Sequence, residues 1–266
     1  MENYSSKEDA KSISHTSLLC DLPFDENNKK PLGGLNWHSP SYDIIGQQYK
    51  SLLIQHAGLN AKSTVLDIGC GTGRLIKPLL EVIEPANYRG VDICQRFVNI
   101  CRERHRNIDI THIDIRHEEF NPTGYINPES YELPFDHRQF DIVICLGVFN
   151  HLRLRWIMQC IRQISKVTKP KGILFSTFLF LNQHSMSKIE NGKTKRPFVF
   201  SIKNADGWSQ TADRPLLNMA HPEIPVRRAL IKSGFMIREP IRYGEWCGAE
   251  HSLTGHDVLI AKRGWG

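Results

Sequence analysis

No stretch of this 266-residue chain stays apolar for the roughly 20 residues that a helix needs to cross a bilayer, so no transmembrane helix is predicted. The N-terminus, MENYSSKEDAKSISH, lacks the basic-then-apolar order of a signal peptide and contains acids that a transit peptide avoids, so a cytoplasmic protein is expected. The seven cysteines (Cys20, Cys70, Cys94, Cys101, Cys145, Cys160 and Cys247) include no CxxC pair, and no pair of cysteines or histidines has ligand spacing. That argues for reduced thiols and against a zinc or other metal site. The net charge of +6 is spread along the chain, which disfavours nucleic acid as a partner; the densest patch, Lys188 to Arg196, reads as a solvated loop. There is no internal repeat, no low-complexity tract and no GxxxxGK[ST] phosphate loop. What remains is ordinary globular material, 40% hydrophobic and 23% charged, long enough for one sizeable core.

Along the chain, residues 1–34 predict a flexible polar arm and residues 35–266 a single domain. A helix is expected over Ser41–Gly58, carrying Ile44, Ile45, Tyr49, Leu52, Leu53 and His56 on its stripe. Strands then alternate with helices. The strands are Thr64–Ile68, Tyr88–Asp92, Ile108–Ile113, Phe140–Leu146 and Ile173–Phe180, and the helices Arg74–Ile83, Cys94–His105 and Leu152–Val167. Continuously apolar strands between helices predict a parallel sheet covered on both faces. From about 181 to 221 the rhythm breaks, and a lid-like insertion with Phe198 and Trp208 is expected there. A helix over Pro222–Ser233 and strands over Phe235–Tyr243 and His256–Lys262 complete the domain.

The segment VLDIGCGTGRL, Val65 to Leu75, carries the first chemical signal. Gly69, Gly71 and Gly73 fall where a strand gives way to a helix. A backbone without Cβ atoms can turn sharply there and let a ligand approach the main chain. The spacing GxGxG departs from the GxGxxG of dinucleotide binders. Asp67 before it repels a pyrophosphate but suits an ammonium group. S-adenosyl-L-methionine offers an ammonium and a sulfonium, and no phosphate. Asp92 ends the second strand, where a carboxylate can accept both ribose hydroxyls. Asp114 follows the third, where it can accept from an adenine amino group, with Ile93 and Ile115 beside these acids to pack on the ring.

VLDIGCGTG, YRGVDI, THIDI, FDIVICLGVFNHL and KGIL resemble the class I S-adenosylmethionine-dependent methyltransferases, closely over Ser41–Phe180 and more loosely over the C-terminal strand pair. The wording is most similar to a large group of mostly uncharacterised bacterial members, through the stretch from Asn121-Pro122 to LPFD and the Tyr243–Gly248 signature. Some of these are encoded near surface-sugar genes. The resemblance implies a Rossmann-like, doubly wound α/β fold: a seven-stranded, mostly parallel sheet of order 3-2-1-4-5-7-6 with the last strand antiparallel. It also implies that Asp67 and Gly69 lie near the methionine end of the cofactor, with Gly71 and Gly73 giving it room. Asp92 would hold the ribose, Asp114 with Ile115 the adenine, and Leu146 and Gly147 would flank the sulfonium.

The expected activity is in-line methyl transfer to a small-molecule or glycan acceptor, with oxygen as the receiving atom and S-adenosyl-L-homocysteine as product. His151, after the fourth strand, is the candidate general base. Tyr243, Glu245 and Trp246 are the candidates to line the acceptor pocket, with His251 nearby. His256 and Asp257 are set aside as a relay, because neighbouring strand residues point to opposite faces. Two alternatives stand beside this reading: an RNA or protein methyltransferase, and a non-catalytic cofactor-binding partner protein. The first is disfavoured, because Cys145-Leu146-Gly147-Val148 occupies the place of the N-P-P-aromatic tetrapeptide of many N-methyltransferases. The oligomeric state stays open.

Overall fold

A computed structural model describes residues 40–194, 199–249 and 251–265; the arm predicted over 1–34 and Phe198 lie outside them. Helix α1, Pro40–Leu52, buries Tyr42, Ile45, Tyr49 and Leu52. It continues as a π turn over Leu53–Ala57 and closes at Gly58, whose positive φ of 73° turns its N–H onto the Leu53 carbonyl. Ile44, expected on the stripe, is 49% exposed, because the buried face runs through Tyr42 and Ile45 instead.

The alternating strands and helices follow: β1 (Val65–Ile68), α2 (Ile76–Leu79), β2 (Tyr88–Asp92), α3 (Gln95–Arg104), β3 (Asp109–His112), β4 (Phe140–Cys145), α4 (Leu154–Val167) and β5 (Thr168–Phe178). Next come β6 (Phe180–Leu181), α5 (Gln183–Glu190), β7 (Ile202–Asn204), β8 (Gly207–Ser209) and β9 (Met219–Pro222). The chain ends in α6 (Glu223–Lys232), β10 (Phe235–Ile237) and β11 (Asp257–Arg263). The main sheet has seven strands in the order β10-β11-β5-β4-β1-β2-β3. β1 to β5 pair in parallel, and β11 runs antiparallel to both β5 and β10. In order of appearance within this sheet the strands read 3-2-1-4-5-7-6, the predicted topology.

The strands are continuously apolar because both faces are covered. Leu66, Val143 and Leu259 join Ile157, Ile161 and Ile164 of α4 in one cluster, while Val65, Ile142 and Phe175 join Leu53, Ile76 and Val98 in the other. Adjacent residues such as Val65 and Leu66 thus serve opposite layers, as the two-residue strand period requires.

Local differences from the sequence reading have identifiable causes. The helix predicted over Arg74–Ile83 shrinks to one turn around Pro78, which has no N–H to continue a helical ladder. β5 begins at Thr168 rather than Ile173 and absorbs a register shift against β4. The strand predicted over Phe235–Tyr243 keeps only its first three residues; Pro240 interrupts it, and Arg242 rejoins the sheet by a single bridge to Val258. The segment 181–221 contributes a helix and a second, four-stranded sheet of order β6-β9-β8-β7. Asn182 and Ser185 form a capping box that starts α5. Among the described residues no helix is long and apolar enough to cross a membrane, and no cluster of His, Cys, Asp and Glu is arranged to hold a metal ion.

Candidate active site

The site is built at the carboxyl ends of β1, β2 and β4. Gly69, Gly71 and Gly73 all take positive φ, at 70°, 56° and 86°. At Gly69 the need is steric as well, since a Cβ would stand 2.3 Å from Cγ2 of Val148. The loop is pinned from β2: the amides of Gly69 and Cys70 donate to the Val91 carbonyl at 2.8 and 3.1 Å. Asp92 completes it. Oδ2 accepts the Gly71 N–H at 2.9 Å, and Oδ1 accepts the Cys94 N–H at 2.8 Å, just ahead of α3. Burial pushes the Asp92 carboxyl up, against these amide donors, which pull it down. Asp67 is 3% exposed and accepts the Tyr88 hydroxyl at 2.8 Å. Burial pushes its pKa up to about 7, with the Asp92 charge adding to the effect.

Two cavities meet on this loop, and Gly69, Gly71, Leu146 and Gly147 line both. The first, about 180 Å³, is mostly apolar; its wall includes Asp92, Ile93, Ile115, Leu133, His151 and Trp156. The second, about 460 Å³, is more polar, with Tyr42, Gln48, Asp67, Arg74, Glu245 and His256 in its wall. Helix α1 roofs this second cavity. The Tyr42 hydroxyl meets Thr72 Oγ1 at 2.9 Å, and the guanidinium groups of Arg74 and Arg104 lie 5.0 and 5.3 Å from its ring centroid. Arg104 also donates to the Thr72 carbonyl at 2.9 Å, tying α3 to the glycine loop. Gly147 is held from β5, its N–H donating to Thr177 Oγ1 at 2.8 Å.

The structure brings Asp67, Gly69, Gly71, Asp92, Ile93, Ile115, Leu146, Gly147 and Glu245 to these cavities, whereas Gly73 lines neither and packs instead against the His105 ring and Ile76. Asp114 is turned to Asn121, whose amide donates to Oδ1 at 2.7 Å, and it lines neither cavity. His151 lines the first cavity with both ring nitrogens engaged. Nδ1 donates to the Leu216 carbonyl at 3.1 Å, which leaves Nε2 to accept from Asn150 at 3.2 Å. A base needs a lone pair turned to its substrate, and this ring commits its own to Asn150. Two pocket candidates also lie elsewhere. Trp246 is fully buried, with its indole N–H on Asp257 at 2.8 Å; Tyr243 donates to Glu223 at 2.9 Å, and burial pushes its pKa up to about 12. Neither lines the two cavities, because the 3-10 turn Glu245–Cys247 sends Glu245 outward and Trp246 inward. Sequence reasoning missed Tyr42, Arg74 and the cavity-facing side of His256. The one signal for the last was the strand alternation that separated it from Asp257.

A family model described as a methyltransferase domain matches residues 65–172, the span from the glycine loop to the start of β5. Over that span the chain is similar to methyltransferase domains. Among curated relatives, the chain is 28% identical over 158 residues to the malonyl-[acyl-carrier protein] O-methyltransferase of Marinomonas sp.. That alignment covers 57% of this chain and 51% of the relative. It is 29% identical over 113 residues to the fatty-acid O-methyltransferase of Mycolicibacterium smegmatis, covering 42% and 36% of the two chains. The chain therefore spans about half or less of the length of these relatives. In fold it is similar to the magnesium protoporphyrin IX methyltransferase of Synechocystis PCC 6803, solved with bound S-adenosylhomocysteine. The TM-score is 0.51 at 16% identity, with 84% of this chain and 85% of that one covered. The residues present fit such a cofactor. A cradle that a Cβ at Gly69 would close, two buried carboxylates on one sheet edge and no phosphate-binding lysine loop suit a cationic, phosphate-free nucleoside.

Proposed function

We propose that this methyltransferase binds S-adenosylmethionine across the glycine loop and transfers its methyl group to an oxygen of a small-molecule or glycan acceptor. The observation that carries the reading is the pair of cavities meeting at Gly69, Gly71, Leu146 and Gly147, one apolar and the other polar. The adenosine half fits the first: Asp92 offers carboxylate lone pairs for the ribose hydroxyls, and Ile93 and Ile115 offer flat apolar surface for the base. The amino-acid half fits the second, with the Asp67 carboxylate for the ammonium and Arg74 for the carboxylate. When bound, the cofactor supplies a methyl group made electrophilic by its sulfonium.

The chain's own residues then have three tasks. Leu146 and Gly147 keep the methyl at the junction, α1 and Tyr42 cover the polar cavity, and the insertion holds the wall containing His151 in place. We assign His151 to positioning, since its ring ties the 3-10 turn Phe149–His151 to the turn at Pro215–Leu217. Relatives named as O-methyltransferases support oxygen as the receiving atom.

Calorimetry on the full chain tests the cofactor: S-adenosylmethionine and S-adenosylhomocysteine should each give saturable binding heat and raise the melting temperature, and NADH neither. The opposite ranking overturns the reading.

A further inference from the structure

The geometry points to a second ligand site beside the cofactor cavities: a third cavity that takes an aromatic anion, an aryl carboxylate or aryl phosphate, and is coupled to cofactor binding through a shared wall. The inference goes beyond the methyl-transfer reading; only its coupling to the cofactor rests on that reading. The cavity encloses about 440 Å³ between the loop that follows β3 and the first turn of α4. Arg116, His117, Pro128 and Trp156 line both this cavity and the first, so the two adjoin across these side chains.

The loop is held in shape by its own bonds. The Asn121 side-chain amide donates to Asp114 Oδ1 at 2.7 Å and to the Ile115 carbonyl at 3.1 Å. The Ile126 N–H donates to the Asp114 carbonyl at 3.0 Å, and the Arg116 N–H returns a bond to the Ile126 carbonyl at 2.9 Å. A Cβ at Gly124 would stand 2.6 Å from Asn121 Nδ2 and 2.8 Å from the Arg116 nitrogen, so the chain folds back on itself as closely as glycine permits. This is the stretch beginning at Asn121-Pro122, which the cofactor reading leaves without a task. A ligand that meets a loop already fixed loses little in ordering it.

The polar groups of the wall favour an anion. Both acids in it are already met: Glu118 pairs with Arg153 and Glu129 with Arg155, each at 2.7 Å. Arg116 has no carboxylate partner among the described residues, and its guanidinium offers a planar fork of donors that fits a carboxylate or a phosphate. Trp156 is 7% exposed, and its buried indole N–H has no acceptor among the described residues. A buried donor left unpaired is costly, so an acceptor brought by a ligand is favoured beside it. Trp156 in the wall and Tyr125 at the rim, 82% exposed, supply aromatic surface for a planar ring. The shared wall supplies the coupling. The His117 ring meets Trp156 edge-on, with centroids 5.8 Å apart, and is fixed by its bond to the His151 carbonyl at 2.8 Å. A ligand that packs on these two side chains in the third cavity also acts on the surface that encloses the first, and the effect of each occupant on the other's affinity is reciprocal.

Calorimetry on the full chain tests this with phenyl phosphate and benzoate as probes and inorganic phosphate as the ring-free control. At least one aromatic anion should bind saturably, about tenfold or more tighter than inorganic phosphate, and the preferred probe tells phosphate from carboxylate as the anionic group. Arg116→Gln, an exposed substitution, should weaken that binding about tenfold or more. Trp156→Phe, which keeps a ring and removes the indole N–H, should weaken it about threefold. S-adenosylhomocysteine is then titrated with and without saturating probe, and its dissociation constant should shift about fivefold or more. No saturable heat from either aromatic anion overturns the proposal. So does binding that Arg116→Gln leaves unchanged, or an S-adenosylhomocysteine affinity that ignores the probe. If S-adenosylhomocysteine does not bind at all, it is the cofactor reading that fails, and the probe titrations still decide the third cavity.

Discussion

Asp67 and Asp92 end neighbouring strands but have different partners, and the difference separates their roles. Asp92 spends part of its acceptor capacity on the Gly71 and Cys94 amides, so it shapes the loop as well as facing the first cavity. Asp67 has only the Tyr88 hydroxyl as a side-chain donor and titrates at about 7. Its folded pKa lies well above 3.8, so near pH 6 it is largely protonated in the free protein. A cofactor ammonium stabilises the ionised form and pulls that pKa down, so binding releases a proton at pH 6 and little at pH 8. Affinity for S-adenosylmethionine should therefore rise from pH 6 to 8. Asp67→Asn retains an acceptor for Tyr88 and removes the charge, so it should flatten this dependence and weaken binding at pH 8 by about tenfold. Calorimetry at the two pH values decides; a variant that keeps the parent's slope removes Asp67 from the ammonium.

At the scale of elements, the loop between β10 and β11 is organised by one carboxylate. Asp257 is fully buried and gathers donors from Phe180, Gly244 and Trp246, so it joins β11, the start of the insertion and the loop between β10 and β11. Asp257→Ala leaves three buried donors without an acceptor, at about 1 kcal/mol or more each. Thermal unfolding should show a loss of at least about 3 kcal/mol; a variant within 1 kcal/mol of the parent means that the loop is held some other way. The same loop marks the limit of legibility. The Rossmann-like half could be read from sequence because its signals are local and periodic: apolar strands such as FDIVIC, glycines at every second position, acids at strand ends. Glu245 lines the second cavity, whereas Trp246 and Tyr243 line neither. A 3-10 turn redirects successive side chains, and no residue pattern announced it. The insertion escaped for a related reason: β7 and β8 have three residues each, too few to display a period. Tyr42 was missed because its importance comes from Thr72, Arg74 and Arg104, thirty or more residues away in the chain.

Over the whole molecule, two sets of buried groups oppose one another as pH changes. Asp67 and Asp257 have folded pKa values raised by burial to about 7 from 3.8. Their contribution to stability is complete below the unfolded value and is lost as pH rises through 7. His117 and His221 are pushed down by burial to about 4 from 6.5. Each donates from Nε2 to a backbone carbonyl, His117 to His151 and His221 to Leu152, both at 2.8 Å, so these rings brace the wall of the first cavity in their neutral form. Their contribution is complete above 6.5 and is lost as pH falls through 4. Asp92 joins the carboxylates, raised by burial, and His105 joins the histidines, pushed down to about 4, so the groups divide three against three, each of the four shifts above being worth roughly 3 to 4 kcal/mol in full. The parent's melting temperature should accordingly change little between pH 5 and 7. Removing one histidine breaks the balance: His221→Asn should melt below the parent at both values, with a profile that now falls as pH rises from 5 to 7. Calorimetric melts across that range test the sign; a variant whose stability climbs with pH shows that the remaining histidines outweigh the buried carboxylates, which are then the weaker set.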